Sequence, residues 1–170
     1  MKRRVPPPSR DLFLGIDPGT YCGWALLDEV GNVVGSGTWS FEAKRHEGGG
    51  MRYLRARRLV RELLTGHPIV ALAYEEVASH KGTAAAHVYG GIVSQITALC
   101  EELSLPYKAI PVATIKREAT GKGNAGKPAM ITAARERFGL DYLDPEKPKT
   151  WSDEADALWI AELLRSELVA

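Results

Sequence analysis

The stretch LFLGIDPGTYCGWALLDE, residues 12–29, constrains the fold more than any other part of this chain. An apolar run from Leu12 to Ile16 drives into Asp17 and is broken at once by Pro18-Gly19, and a second run returns over Gly23 to Leu27. Short apolar runs bounded by turn residues read as buried strands. Gly31-Asn32 supplies the next reversal and Val33 to Phe41 a third strand, so the chain opens on an antiparallel meander. A carboxylate at the mouth of an apolar strand is costly to desolvate unless something positive meets it. Three explanations fit Asp17: a metal ion, a nucleotide phosphate site built around the turn, or a plain strand-ending turn.

After the meander the pattern alternates. Leu54, Leu59, Leu63 and Leu64 recur near helical spacing and predict a helix from about Met51 to Leu64, stopped by Gly66 and Pro68. Ile69 to Tyr74 reads as a fourth strand ending in Glu75 and Glu76, and Thr83 to Leu103 as a long helix of small residues. Pro106 to Pro111 reads as a fifth strand. Thr114 to Ala119 forms a short helix before the GKGNAGK loop, and Pro128 suits the first residue of a helix running to about Phe138. Ser152 is a plausible N-cap for a last helix from Asp153 to about Leu168. Three antiparallel strands followed by alternating helix and strand make an α/β domain with a mixed sheet. At 170 residues one domain is expected, with a loose arm at residues 1–11 and the folded domain over 12–170.

Composition narrows the function classes. Apolar content of 45% and charged content of 25% are ordinary for a soluble globular protein, no apolar stretch is long enough to span a bilayer, and MKRRVPPPSRD lacks the apolar core of a secretory signal. No membrane association and a cytoplasmic location are expected. Cys22 and Cys100 are too few for a disulfide framework or a zinc site. The net charge of +1 conceals an uneven distribution, because MRYLRARRLVR carries arginines and no acid while KREATGKGNAGK is basic and glycine-rich.

Three acidic points stand at element ends: Asp17, Glu75 or Glu76, and Asp153 with Asp156 in SDEADALWIAELL. Asp153 and Asp156 are three apart on the predicted helix and share a face, and a first-turn position would suit their charge. Glu75 and Glu76 are adjacent on a strand and point to opposite sides, so only one can join the others. If the first and fourth strands are neighbours, their acidic ends meet at one sheet edge. An all-carboxylate set suits Mg²⁺ or Mn²⁺ rather than zinc, and two such ions are a standard device for phosphodiester chemistry.

LGIDPGT with the following GWALLD, then ALAYEEV, and finally SDEADALWIA, together resemble the RuvC family of Holliday-junction resolvases over residues 12 to 165. The resemblance implies an RNase H-like fold: a mixed five-stranded sheet flanked by helices. It also implies a homodimer that uses Mg²⁺ or Mn²⁺, two ions per active site, to nick four-way DNA junctions symmetrically, leaving 5′-phosphate and 3′-hydroxyl ends. By that resemblance the catalytic, metal-holding acids are Asp17, Glu75, Asp153 and Asp156, which selects Glu75 over Glu76. Family lysines near the scissile phosphate match Lys116 and Lys127, and Lys122 in the same loop is a further DNA-binding candidate. Where the best-known members place an inserting aromatic, this chain has Ala78, with His80 and Lys81 beside it as backbone contacts instead.

Arg52 and Arg55, with Arg58, could form one DNA-facing strip of their helix, or a solvated face with ordinary salt bridges. Gly90-Gly91 is a cost inside the long helix that close approach of another helix, from a second subunit, would explain, while Ala84, Val88, Ile92 and Ile96 are expected to pack in the core. Other readings of the chain are a broader branched-DNA endonuclease acting on forks, flaps and three-way junctions, an actin-like nucleotide-binding protein, and a junction-binding protein without catalysis.

Overall fold

In the computed structural model, which describes residues 10–170, the chain reverses at Pro18-Gly19 and again at Gly31-Asn32 as the sequence implies. β1 (Leu12–Asp17), β2 (Tyr21–Asp28) and β3 (Val33–Ser40) form the antiparallel meander. The second turn is tied by Asp28, whose Oδ1 accepts from the backbone N–H groups of Val30 and Asn32, and Gly31 takes a positive φ of 95° that suits glycine. β4 (Ile69–Glu76) and β5 (Tyr107–Pro111) then add parallel to the free side of β1, giving the order β3-β2-β1-β4-β5. Apart from Arg10 and Asp11, the arm expected at residues 1–11 lies outside the described residues.

Helices cover both faces. α1 (Met51–Gly66) and α2 (Thr83–Glu102) pack on one, where Ala56, Val60, Ile92, Ile96 and Leu99 meet Leu14, Ile16 and Leu72. α3 (Val112–Thr120), α4 (Lys127–Phe138) and α5 (Pro148–Val169) cover the other, where Ile115, Met130, Ile160 and Leu164 meet Phe13, Ala71 and Ala73. Alternation along the strands thus assigns each face: Phe13, Gly15 and Asp17 look toward α5, while Leu14 and Ile16 look toward α1 and α2. No helix among the described residues is long and apolar enough to cross a membrane.

Two glycines let α5 lie directly on the sheet. A Cβ on Gly15 would stand 2.3 Å from the backbone oxygen of Ala157, and one on Gly23 would stand 1.8 Å from that of Asp153. Both distances are impossible for real atoms, so backbone meets backbone at these points. Buried carboxylates then fix the helix along its length. Glu154 accepts 2.6 Å hydrogen bonds from Ser36 and Tyr142, and Glu162 pairs with Arg137 and Arg165.

Several local expectations are corrected. The last helix begins at Pro148, four residues before Ser152, because proline suits a first helical turn; Ser152 lies inside the helix and is buried. Asp153 and Asp156 therefore sit beyond the first turn, and the helix dipole does not account for their placement. Leu54 is 58% exposed, the core face of α1 being carried by Ala56 and Val60, and Ala84 is exposed at the start of α2. Close approach of another helix does explain Gly91, but the helix is α1 of the same chain, since a Cβ there would strike the Tyr53 ring at 2.2 Å; Gly90 faces open space.

The close approach of α5 is testable by stability. Gly23→Ala should lower the unfolding free energy by about 2 kcal/mol or more, because helix and sheet must move apart. Gly49→Ala, with nothing within 4 Å of the added carbon, should stay within about 0.5 kcal/mol of the parent. Urea titration of both variants measures the difference, and an undisturbed Gly23→Ala would contradict the packing described.

Candidate active site

Sheet register places the first two acids together. β1 and β4 are paired in parallel up to Ile16 and Tyr74, so Asp17 and Glu75 are the next step on both strands and share the α5 face. Glu76, one residue on, is exposed and points to the other face. The same geometry adds the helix acids. Asp17 is the cross-strand partner of Gly23, and Gly23 touches the backbone of Asp153, so Asp153 and Asp156, three apart on α5, come down beside Asp17.

The four carboxylates sense one another. Asp17 is held well above the usual carboxylate range, first by burial and then by the charges of Glu75, Asp156 and Asp153. A hydrogen bond between the two carboxyl groups raises Asp17 and lowers Glu75, although burial still leaves Glu75 above its ordinary value. Burial, then Glu75 and Asp153, push Asp156 up to about 7. Asp153 is raised by burial against the opposing pull of Lys127 and of a hydrogen bond from the Ser152 hydroxyl. Cations stand beside the cluster: Lys116 lowers Glu75 and Asp156, and Lys127 lowers Asp153 and Asp156.

Oxygen donors alone make this set, and buried carboxylates raised by mutual repulsion are the chemistry a hard divalent cation relieves. The residues fit Mg²⁺ or Mn²⁺ in kind. Among the described residues no group of three or more such side chains already stands as a formed cation cage. Asp17 and Glu75 are turned to each other and hydrogen-bonded through their carboxyl groups.

The remaining candidates divide. Lys122 is exposed in the loop between α3 and α4, where its backbone bonds to Thr120 and Ala125, and it does not act on the carboxylates as Lys116 and Lys127 do. Lys81 is exposed, whereas the His80 ring packs on Tyr89 with 4.8 Å between centroids. Arg52 and Arg55 do not present a free strip. Arg52 donates to the carbonyl of Phe41, and Arg55 to Glu47 and the carbonyl of Glu42, so both fasten the loop between β3 and α1. Arg57 and Arg61 pair with Glu102, which leaves the solvated-face reading for that side of α1.

Three contributors escaped sequence reasoning. Gly15 and Gly23 set the depth of α5, and an isolated glycine inside an apolar strand was the available signal. Tyr89 holds the end of β4, its hydroxyl donating to the Glu75 carbonyl at 2.8 Å and accepting from the Val77 N–H at 3.3 Å. No local pattern marks a tyrosine on α2 as a clamp on a strand end.

Among solved structures the chain is similar to Thermus thermophilus RuvC in complex with a Holliday-junction substrate. The match has a TM-score of 0.74 and 23% identity over 89% of this chain and 90% of that one. It is also similar to the yeast mitochondrial Holliday junction resolvase Ydc2, with a TM-score of 0.65 and 15% identity over 98% and 82% of the two chains. A third similarity is to the Fowlpox virus resolvase, solved with its substrate Holliday junction DNA, with a TM-score of 0.59 and 13% identity over 94% and 99%. The chain has the RuvC fold. No protein-family model matches its sequence, and no curated protein matches it significantly. The RNase H-like mixed sheet expected from the motifs is therefore observed, and within the RuvC fold the four acids stand at the carboxyl ends of the central strands and on the helix laid across them.

The raised carboxylates carry a stability signature. With Asp156 near 7 when folded against a usual 3.8, the folded chain retains a proton that the unfolded chain releases, so stability falls as pH rises from about 4 through 7. In chelator at pH 8, Asp156→Asn should therefore stabilise the protein by on the order of a few kcal/mol. The gain should vanish near pH 4, where both side chains are neutral. Urea titrations at the two pH values check this, and a loss of stability at pH 8 would contradict the repulsive cluster.

Proposed function

We propose that this chain is a metal-dependent, structure-specific DNA endonuclease that resolves four-way junctions by paired symmetric nicks. The observation carrying the proposal is the gathering of Asp17, Glu75, Asp153 and Asp156 at one sheet edge with Lys116 and Lys127 beside them. Similarity in fold to resolvases solved with Holliday-junction DNA supports the choice of substrate.

Asp17, Glu75, Asp153 and Asp156 would hold two Mg²⁺ or Mn²⁺ ions. Bound there, divalent ions supply the Lewis acidity that phosphodiester hydrolysis needs on both the attacking and the leaving side. Asp156 would have to be ionised to serve as a ligand, so activity is expected to rise with pH through the range near 7 in which its carboxyl ionises. Lys116 and Lys127 offset charge on the phosphate undergoing attack and orient its strand. Hydrolysis leaves a 5′-phosphate and a 3′-hydroxyl. Two symmetric nicks need two such sites, and the acting species is a homodimer. Phosphate contacts supply most of the affinity, which therefore falls steeply with salt. Both cysteines are free and buried, in keeping with a cytoplasmic enzyme.

Incubation of the purified protein with four-way, three-way and linear duplex DNA, with and without Mg²⁺, tests the proposal. Paired nicks in the four-way junction that require the ion are expected, with linear duplex left intact. Asp17→Asn should slow cleavage by at least about a hundredfold while junction binding persists. Equal cutting of linear duplex, or unchanged nicking by Asp17→Asn, would overturn the reading.

A further inference from the structure

Beside the carboxylates, on the side of Asp153, a cleft of about 550 Å³ opens between the β1–β2 turn and the starts of α4 and α5, lined by Thr20, Tyr21, Lys127, Lys149, Ser152 and Asp153. Neither Tyr21 nor Lys149 takes part in the chemistry described above. Tyr21 is half exposed, and its hydroxyl donates to Glu42, which steadies the ring at the rim. Lys127 and Lys149 are exposed, one at the first residue of α4 and the other in the first turn of α5. Lys127 already acts on Asp153 and Asp156, so the cationic wall is continuous with the acids.

From this cleft we infer that the site takes one unstacked nucleotide of the cut strand, its phosphate held by Lys127 and Lys149 and its base laid against Tyr21. The inference rests on the nuclease reading and specifies the substrate within it. A volume of this size suits a single nucleotide, whereas a duplex cannot enter it. Cations on one wall and an aromatic on the other match the two halves of a nucleotide, and base stacking on a tyrosine tolerates any sequence. A nucleotide must leave its helical stack to occupy the cleft, which is easiest where pairing is already interrupted, as at a branch point. Structure selectivity then arises beside the chemical step, without base-specific contacts.

Binding measurements in the Asp17→Asn background separate this inference from the reading beneath it, using a synthetic four-way junction as the probe. Lys149→Ala should reduce the slope of log affinity against log salt by about 0.9, the value of one phosphate contact. Lys108→Ala, which removes the same charge from a lysine paired with Glu167 on the edge strand β5, should leave the slope unchanged. Tyr21→Ala should weaken binding about fivefold or more, and Tyr21→Phe, which keeps the ring, should not. When each nucleotide flanking the crossover is replaced in turn by an abasic one, the Tyr21→Ala effect should disappear at one position. Equal slopes for Lys149→Ala and Lys108→Ala, or a Tyr21→Ala effect that survives every abasic replacement, would overturn the inference and leave the nuclease reading standing. Absence of junction binding by the Asp17→Asn protein itself would overturn both.

Discussion

The backbone contact between α5 and the strands β1 and β2 is the constraint on which everything else in this molecule depends. Gly15 and Gly23 carry no side chain at the two points where the helix touches the sheet, so the helix sits at the depth of the strands' own atoms. From the helix side Ala157 and Ala161 meet Gly15, and the backbone of Asp153 and Glu154 meets Gly23. An ordinary side chain at either glycine would lift α5, and Asp153 and Asp156 would rise away from Asp17 and Glu75. The cluster of carboxylates is thus built from register and depth: parallel pairing of β1 with β4 supplies two of them, and the glycine contact supplies the other two.

This arrangement works against stability. Four carboxylates in a buried corner repel, which with burial raises Asp17 and Asp156, and Lys116 and Lys127 stand within electrostatic reach to offset part of that charge. Groups whose environment pushes them so far from ordinary behaviour mark functional sites because packing alone gives no reason to keep them. Asp28, Glu154 and Glu162 offer the contrast. They too are buried, but hydrogen bonds or arginines satisfy them, and they brace a turn and a helix.

Much of this was legible in the sequence. The turn at Pro18-Gly19, the Gly31-Asn32 reversal and the strand–helix alternation fix the topology, since each rests on local chemistry. Strand ends placed Asp17 beside Glu75 or Glu76 if the first and fourth strands are neighbours, and the family resemblance selected Glu75. The start of α5 was not legible, because Ser152 and Pro148 both carry helix-start signals and only packing decides between them. Whether Arg52 and Arg55 face DNA or make ordinary ion pairs could not be decided from spacing, because their partners, a carbonyl of Phe41 and a carboxylate of Glu47, depend on how the preceding loop folds back. Tyr89 and Lys149 owe their positions to tertiary folding, which no spacing rule encodes.

The glycine contact and the strand register are proposed to bring four acids to one pair of divalent cations. Anomalous diffraction from crystals of the protein soaked in Mn²⁺ tests this directly. Manganese peaks are expected within ligand distance of the carboxylates of Asp17, Glu75, Asp153 and Asp156. Manganese bound elsewhere on the protein, with none among these four side chains, would contradict it.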